Sequence, residues 1–161
     1  MQKLLVGSAL AVAALVVAPQ VEAQSRSVEF GGAAGVAFPT GDLGEGANTG
    51  FRIGGLAQFQ PSGWPVGLRG EVNYTSLTGE TIGTGAGRVE LGSTNVLEAT
   101  GNAIYNFNAP KDATTSFYVI GGAGLYNVNR GGDTNFGLNG GAGVNFNLGG
   151  FRAFAEARAV R

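Results

Sequence analysis

The sequence predicts an all-β fold, an antiparallel up-and-down barrel of the eight-stranded type. Three observations point to it: short segments alternate apolar and polar residues with a period of two, the charged residues of these segments share one face, and aromatic residues recur near the segment ends on the other face. Successive strand side chains point to opposite faces of a sheet. This alternation is therefore typical of a sheet that separates two different environments.

Residues 1–23 are predicted to be a signal peptide. Lys3 supplies the positive charge, Leu4 to Ala18 form an apolar run of fifteen residues, and small residues precede Gln24 as a signal peptidase requires. A membrane helix needs about 20 apolar residues, so the run is short for an anchor. We expect export from a bacterial cytoplasm and one domain over residues 24–161. An uncleaved anchor helix is the alternative interpretation.

Seven strands are predicted along residues 24–161. Six of them have one face on which every second residue is apolar or glycine. These faces run from Val28 to Phe38, Phe51 to Phe59, Val66 to Tyr74, Leu97 to Phe107, Phe136 to Phe146 and Phe151 to Ala157. Helical spacing would scatter both sets of residues, and the many glycines would penalise a helix.

The faces of the remaining strand and the start of the strand that contains Leu97 are less definite. The segment from Ser116 to Val128 is apolar on both faces. Its residues assigned to the outside are Tyr118, Ile120 and Tyr126. The strand that contains Leu97 keeps its alternation back through Val89 and Leu91, which predicts a start near Arg88.

The connections between the predicted strands alternate in length. Residues 39–50 and 78–87 are long connections, whereas residues 61–65 and 148–150 are short ones. Long loops at one end and short turns at the other are typical of outer-membrane barrels. The loops would then face the cell exterior and contact an external ligand or a host surface. Their acidic residues are Asp42, Glu45, Glu80 and Asp133.

Charged residues lie on one common face of the predicted strands, opposite the apolar face. They are Glu29, Arg52, Arg69, Glu71, Glu98, Arg152, Glu156 and Arg158. A narrow eight-stranded barrel has an interior just wide enough for side chains to fill. Four acids and four bases can pair there, whereas unpaired buried charges would cost several kcal/mol each. The solvated face of a soluble sandwich is the alternative interpretation.

Aromatic residues favour the membrane barrel over a soluble sheet. The predicted aromatic girdle consists of Phe30, Phe38, Phe51, Phe59, Tyr74, Tyr105, Phe107, Tyr118, Tyr126, Phe136, Phe146 and Phe151. Phe51 and Phe59 are eight residues apart, which corresponds to roughly 26 Å of strand. A strand tilted by about 40° then covers roughly 20 Å of the membrane normal, close to the apolar band of about 25 Å in such barrels. Mostly small residues lie between the aromatic pairs, whereas a sandwich core would usually place bulky residues there.

Three stretches resemble the outer membrane protein beta-barrel domain family, the small porin-like and opacity-type barrels related in architecture to the membrane domain of OmpA. They are Ala34-Gly35-Val36-Ala37-Phe38-Pro39-Thr40-Gly41-Asp42, Gly50-Phe51-Arg52-Ile53-Gly54-Gly55 and Phe154-Ala155-Glu156-Ala157-Arg158. The resemblance implies an eight-stranded antiparallel barrel surrounded by outer-membrane lipid in a diderm bacterium. It also implies a structural, adhesive or interaction role, since members usually lack a defined reaction.

The predicted strand count is one short of the eight that the resemblance implies. An open sheet edge in hydrocarbon leaves backbone groups without hydrogen-bond partners. We therefore expect that this chain lacks the last strand and is truncated at its C-terminus. An eighth strand within Arg88 to Asn95 is the alternative.

The amino-acid composition excludes several classes of function. The chain has no Cys and no His, and its 10 Lys+Arg balance 11 Asp+Glu. Barrel enzymes that hydrolyse lipids or proteins depend on His, and without one Ser76, Ser93 and Asp133 have no base to activate them. We expect no catalytic residue, no metal, no cofactor and no nucleic-acid partner. The favoured function is a non-catalytic outer-membrane barrel with a charge-plugged lumen and exposed loops. A small passive pore and a soluble periplasmic binding module are the alternatives.

Overall fold

The computed structural model describes ten stretches of the chain, and every regular element in them is a β-strand. The described residues are 12–16, 28–38, 47–61, 64–79, 81–82, 89–90, 92–107, 114–129, 134–148 and 152–161. The strands are β1 (Val12–Val16), β2 (Val28–Ala37), β3 (Ala47–Phe59), β4 (Val66–Gly79), β5 (Thr81–Ile82), β6 (Val89–Glu90), β7 (Thr94–Asn106), β8 (Thr115–Val128), β9 (Thr134–Asn147) and β10 (Arg152–Val160). These stretches contain no helix with the length and apolar character needed to cross a membrane.

The long strands form an antiparallel barrel. The order around the closed sheet is β1, β10, β9, β8, β7, β4, β3 and β2, and each strand is antiparallel to its neighbours. The predicted all-β fold and its seven consecutive long strands are confirmed. The short β5 and β6 form a separate two-stranded sheet within the connection between β4 and β7.

β1 occupies the place between β10 and β2. It pairs with β10 from Val12 to Val16, and among the described residues its pairing with β2 is limited to Val12 facing Gly35. This strand comes from the segment predicted to be a signal peptide, whose removal stays a prediction. Periodicity did not indicate a strand there because an unbroken apolar run contains no alternation of the kind that marks a two-faced sheet.

The start near Arg88 that was predicted for the strand containing Leu97 is wrong. β7 begins at Thr94, and Val89 belongs to β6, which pairs with β5. Thr94 faces Leu77, close to the end of β4, so residues before Thr94 have little of β4 left to pair with. Among the described residues, the stretch from Arg88 to Asn95 therefore does not supply an additional barrel strand.

The outward assignment of Tyr118, Ile120 and Tyr126 on β8 is also wrong. Tyr118 is 1% exposed and Ile120 is 4% exposed, and both point into the barrel together with Tyr126. The outward residues of β8 include Phe117 and Leu125. Both faces of this strand are apolar, so the alternation could not distinguish them.

The two ends of the barrel are defined by their connections. The strand ends joined by residues 38–46, 80–93 and 129–133 lie at one end of the barrel, here called the loop end. Those joined by residues 60–65, 107–114 and 148–151 lie at the other end, here called the turn end. The predicted loop acids Asp42, Glu45, Glu80 and Asp133 lie outside the described residues.

Candidate functional site

Four charged side chains meet inside the barrel and form what we call the central ring. Arg69 and Glu71 come from β4, and Glu156 and Arg158 come from β10. All four are at most 8% exposed. β4 and β10 stand four places apart in either direction around the closed sheet, so the central ring joins opposite walls of the barrel.

Each carboxylate of the central ring binds both guanidinium groups. Arg158 donates from Nη2 to Glu71 Oε1 over 3.0 Å and from Nε to Glu156 Oε1 over 2.8 Å. Arg69 donates from Nη1 to Glu156 Oε2 over 2.9 Å, and its Nη1 lies 3.5 Å from Glu71 Oε1. Two positive and two negative charges thus cancel within one hydrogen-bonded cluster. Such pairing offsets much of the cost of removing these ions from water.

Neutral groups complete the hydrogen bonds of the central ring. Arg69 donates from Nε and Nη2 to Gln58 Oε1, and Tyr118 donates its hydroxyl to Glu156 Oε2 over 2.8 Å. The Arg69 guanidinium also lies over the ring of Phe154, 4.9 Å from its centre. Sequence reasoning did not single out Gln58, although its place as a polar residue on the inward face of β3 was a usable signal. It assigned Tyr118 to the outer face and the aromatic girdle, so its role inside the barrel was missed.

The other four predicted charges form one pair on each side of the central ring. Toward the loop end, Arg52 on β3 lies 2.7 Å from Glu98 on β7, and both are buried. Toward the turn end, Arg152 on β10 lies 2.9 Å from Glu29 on β2, with side chains 36% and 37% exposed. This second pair spans the place of β1. All eight charged residues that the sequence marked thus lie in ion pairs.

Apolar side chains pack inside the barrel around these charges. The buried cluster contains Ala37, Leu56, Leu77, Ile104, Tyr118, Ile120 and Phe154. Between Arg69 and the turn-end pair lies a cavity of about 10 Å³, lined in part by Leu56 and Phe154. A cavity of that size is at the lower limit for one water molecule. This cavity therefore has room for about one water molecule at most.

Glycines on the inner face make room for larger side chains on the neighbouring strands. A Cβ atom on Gly143 would overlap the ring of Tyr118, and one on Gly122 would overlap the Asn102 side chain and backbone. Outward Gly70 and Gly101 have no atom within 4 Å of that position. Inner glycines thus serve packing in a narrow barrel, whereas the outer ones leave the surface smooth.

The outer face of the barrel is apolar. Nine of the residues predicted for the aromatic girdle are exposed there: Phe30, Phe38, Phe51, Phe59, Tyr74, Tyr105, Phe107, Phe136 and Phe146. Phe151 lies outside the described residues, and Tyr118 and Tyr126 point inward. Phe117 on β8 is 62% exposed, belongs to this face and was missed. Trp64, in the connection between β3 and β4, is 67% exposed and was also missed.

The exposed aromatic residues gather toward the two ends of the barrel. Phe51 and Tyr74 lie toward the loop end with ring centres 6.4 Å apart. Tyr105 and Phe107 lie toward the turn end with ring centres 5.4 Å apart. Between them run small outward residues, such as Gly70 and Gly101, which face each other in register. Two aromatic girdles flanking an apolar band are typical of a barrel in lipid.

The described interior contains few groups that could bind a metal ion or take part in catalysis. Among the residues that the structure describes, no group of three or more His, Cys, Asp or Glu side chains could hold a metal ion. The carboxylates of Glu29, Glu71, Glu98 and Glu156 all bind arginine. The arrangement is suited to joining the walls of the barrel.

The sequence matches a known protein family. The family described as outer membrane protein beta-barrel domain matches residues 7–155. No curated protein and no solved structure matches the sequence.

Proposed function

The chain belongs to the outer membrane protein beta-barrel domain family, and from this we propose that it is a non-catalytic barrel of the outer membrane whose lumen is closed by paired charges. Its exposed loops then provide a structural, adhesive or interaction role at the cell surface. In this proposal residues 1–23, which include β1, direct export in a diderm bacterium, and the barrel loses β1 if this segment is removed afterwards. The membership itself establishes an outer-membrane β-barrel protein.

The central ring is the observation that carries the closed lumen. Arg158 and Glu71 meet from opposite walls, and Arg69 and Glu156 meet beside them. An ion crossing the barrel would have to pass these buried pairs, and the described side chains beside them, Phe154 and Leu56 among them, are buried inside the barrel as well. This packing favours a plug over the passive pore.

The apolar outer face supports a lipid environment over a soluble periplasmic module. Phe136 is 71% exposed, Trp64 67% and Phe30 66%. A soluble protein of this size rarely exposes so continuous an apolar surface. Along each strand, apolar residues of the outer face alternate with residues that point inward, and the paired charges are among the inward ones. The polar residues of the barrel are therefore inside.

Planar-bilayer recording of the purified chain tests the closed lumen. We expect no steady conductance, with at most brief openings. A double variant, Glu71→Ala with Arg158→Ala, removes the cross-lumen pair without leaving a lone charge from it, and we expect it to raise the conductance. Steady ion-selective current through the unaltered protein would overturn the plug and favour the passive pore.

Trp64 allows a direct test of lipid insertion, because it is the only tryptophan of the chain. In phospholipid vesicles we expect its fluorescence to shift to shorter wavelength and to be quenched by lipids brominated near the headgroup. Emission unchanged from that in water, with the protein in the aqueous phase, would favour the soluble module.

The absence of catalysis is tested on the same preparation. Phospholipid and ester substrates should show no turnover above the lipid-only background. Hydrolysis that is lost in a Ser76→Ala variant would contradict the proposal.

A further inference from the structure

Asn139 is the only asparagine of the chain that is followed by glycine. An Asn-Gly pair within alternating apolar residues is typical of a two-residue hairpin turn. Here the pair lies in the middle of β9 instead, with strand residues on both sides. The local sequence and the fold therefore disagree at this pair, and such a disagreement is expected at functional or strained sites.

The glycine of this pair is not explained by the fold. Gly140 points outward, and its φ lies outside the left-handed region. A Cβ atom added to it would lie 3.8 Å from the backbone oxygen of Ile120, which is an ordinary van der Waals contact. Alanine would therefore fit at this position of the barrel wall, and neither a turn nor close packing requires glycine there.

The folded barrel holds the backbone nitrogen of Gly140 in the sheet. Gly140 on β9 faces Ala159 on β10. Two residues away, Leu138 and Arg161 exchange both of their backbone hydrogen bonds across the same boundary. Hydrogen-bonded pairs recur at every second residue of an antiparallel ladder, so the next such pair is Gly140 with Ala159. The amide N–H of Gly140 is thus a donor to β10.

Asn-Gly pairs deamidate without an enzyme in flexible chains, because glycine has no Cβ atom to hinder the attacking nitrogen. The backbone nitrogen of Gly140 bonds to Cγ of Asn139, and the side-chain nitrogen leaves as ammonia together with the proton of the attacking amide. Water then adds to the cyclic imide and opens one of its two C–N bonds to a carbonyl carbon. The product is aspartate or isoaspartate at position 139. The reaction consumes one water molecule and needs no oxidant, metal or cofactor.

The barrel protects Asn139 from this reaction. The attacking nitrogen is engaged with β10, and the sheet keeps the backbone extended, so the ring cannot close unless β9 separates from its neighbours. The Asn139 side chain points inward and is 8% exposed, beside the hydroxyl of Tyr126. An unfolded chain has none of these restraints.

Both products are incompatible with the barrel. Isoaspartate adds an atom to the main chain, which shifts the rest of β9 relative to β8 and β10 and disturbs the register on both sides. Aspartate at 139 adds a ninth charge to an interior in which the described arginines and glutamates already form four pairs. A buried charge without a partner strongly disfavours the folded state.

We propose that Asn139–Gly140 is a deamidation site that is open only in the unfolded chain and that removes slowly folding chains from the population able to form the barrel. Closure of this sheet depends on pairing between strands distant in sequence, such as β4 with β7, and folds of this kind form slowly. The reaction therefore has time to occur before closure. The site goes beyond the closed lumen of the proposed function, since it acts before the central ring assembles.

Peptide mapping by mass spectrometry tests the site on the full chain. One sample is kept unfolded in guanidinium chloride and one is folded in detergent micelles, at the same mildly alkaline pH and temperature. We expect deamidation of Asn139 to be at least about tenfold faster in the unfolded sample, because the folded one reacts only through opening of β9. Asn102 and Asn145, which are followed by Ala and Phe, are internal references. Equal rates in both samples, or a rate at Asn139 no higher than at the references in the unfolded chain, would overturn the proposal.

A refolding experiment tests the consequence. The unaltered chain and Gly140→Ala are held unfolded for increasing times and then diluted into micelles, and the folded yield is read from the mobility shift between heated and unheated samples in gels. The unaltered chain should lose yield in proportion to deamidation at Asn139. Gly140→Ala should keep its yield, because the methyl group fits the folded wall and hinders the attack. An equal loss in both chains, or no loss in the unaltered one, would contradict the proposal.

A separation within the unaltered protein covers the case in which Gly140→Ala folds poorly from the start. After the same incubation and refolding, the folded and unfolded species are separated on the gel and digested. The folded species should contain Asn139, and aspartate or isoaspartate at 139 should collect in the unfolded species. The same proportion of deamidated chain in both species would reject the site.

Discussion

Arg158 meets Glu71 across the whole width of the barrel interior, and Arg69 meets Glu156 beside it. β4 carries its charges in the order Arg69, Glu71, and β10 carries Glu156, Arg158, and the two strands run in the same direction. A slip of two residues along either strand would place like charges opposite each other. The central ring therefore specifies how the two walls are aligned, in addition to filling the lumen.

Removal of one member of the cross-lumen pair should destabilise the barrel strongly. Glu71→Gln leaves Arg158 with one buried carboxylate, and breaking such a pair costs about 3–5 kcal/mol. We expect a clear fall in the Tm measured by circular dichroism in detergent micelles. Arg152→Gln is the control: its pair with Glu29 is about one-third exposed, and exposed pairs contribute little. An equal fall in Tm in both variants would contradict the larger contribution of the central ring to stability.

Charge reversal tests the alignment. Arg69→Glu with Glu71→Arg places like charges against Glu156 and Arg158, and we expect poor folding judged by the mobility shift between heated and unheated samples in gels. The matching reversal on β10, Glu156→Arg with Arg158→Glu, should fail in the same way. All four changes together restore opposite charges and should recover most of the folded yield. If the fourfold variant folds no better than either double variant, the alignment role is wrong.

The hydroxyl of Tyr118 should contribute measurably to stability. Tyr118→Phe removes a 2.8 Å hydrogen bond to Glu156 and little else. Hydrogen bonds to charged groups contribute about 1.5–3 kcal/mol, so the free energy of unfolding should fall by about that amount in urea titrations. Tyr105→Phe alters an outward tyrosine and should leave it nearly unchanged.

Two glycines that lie close together should respond to alanine in opposite ways. Gly101 faces outward with no atom within 4 Å of an added Cβ, and Gly101→Ala should stabilise by about 0.5–1 kcal/mol. Gly122→Ala places its Cβ against the backbone of Gly101 and Asn102 and should destabilise by about 1–3 kcal/mol. Urea unfolding in micelles measures both. The same sign for both would mean that the inner and outer faces are assigned wrongly.

A charge on the outer face should cost most midway between the girdles. Ala142 lies between Phe136 and Phe146 on β9 and points outward. Ala142→Arg should destabilise by about 2–4 kcal/mol in lipid vesicles, whereas Phe136→Arg, near a membrane interface, should cost less. Trp64 fluorescence during urea unfolding provides the measurement. Equal small effects would argue against a lipid-facing surface.

Periodicity predicted the faces of the barrel wherever the two faces differ in polarity. It placed Arg69, Glu71 and their partners on the inner face and Phe51 and Phe136 on the outer one. It failed on β8, where Tyr118 and Ile120 are as apolar as their outward neighbours. Periodicity could not predict that Arg158 pairs with Glu71. The residue opposite a given side chain across a barrel depends on how far each strand is shifted along its neighbour. That shift comes from closure of the whole sheet.

The pairing of β1 with its two neighbours is unequal, and the boundary between β1 and β2 is the weakest line of the barrel wall. Among the described residues, β1 faces five residues of β10 and only Gly35 of β2, whereas β2 faces β3 along its full length. In a chain that keeps residues 12–16, heat or pulling force should separate the strands along this line first, with amide protons of β2 exchanging there before those of β8 and β9. The ion pair between Arg152 and Glu29 crosses the same line near the turn end. It joins β10 to β2 where the described backbone provides few hydrogen bonds.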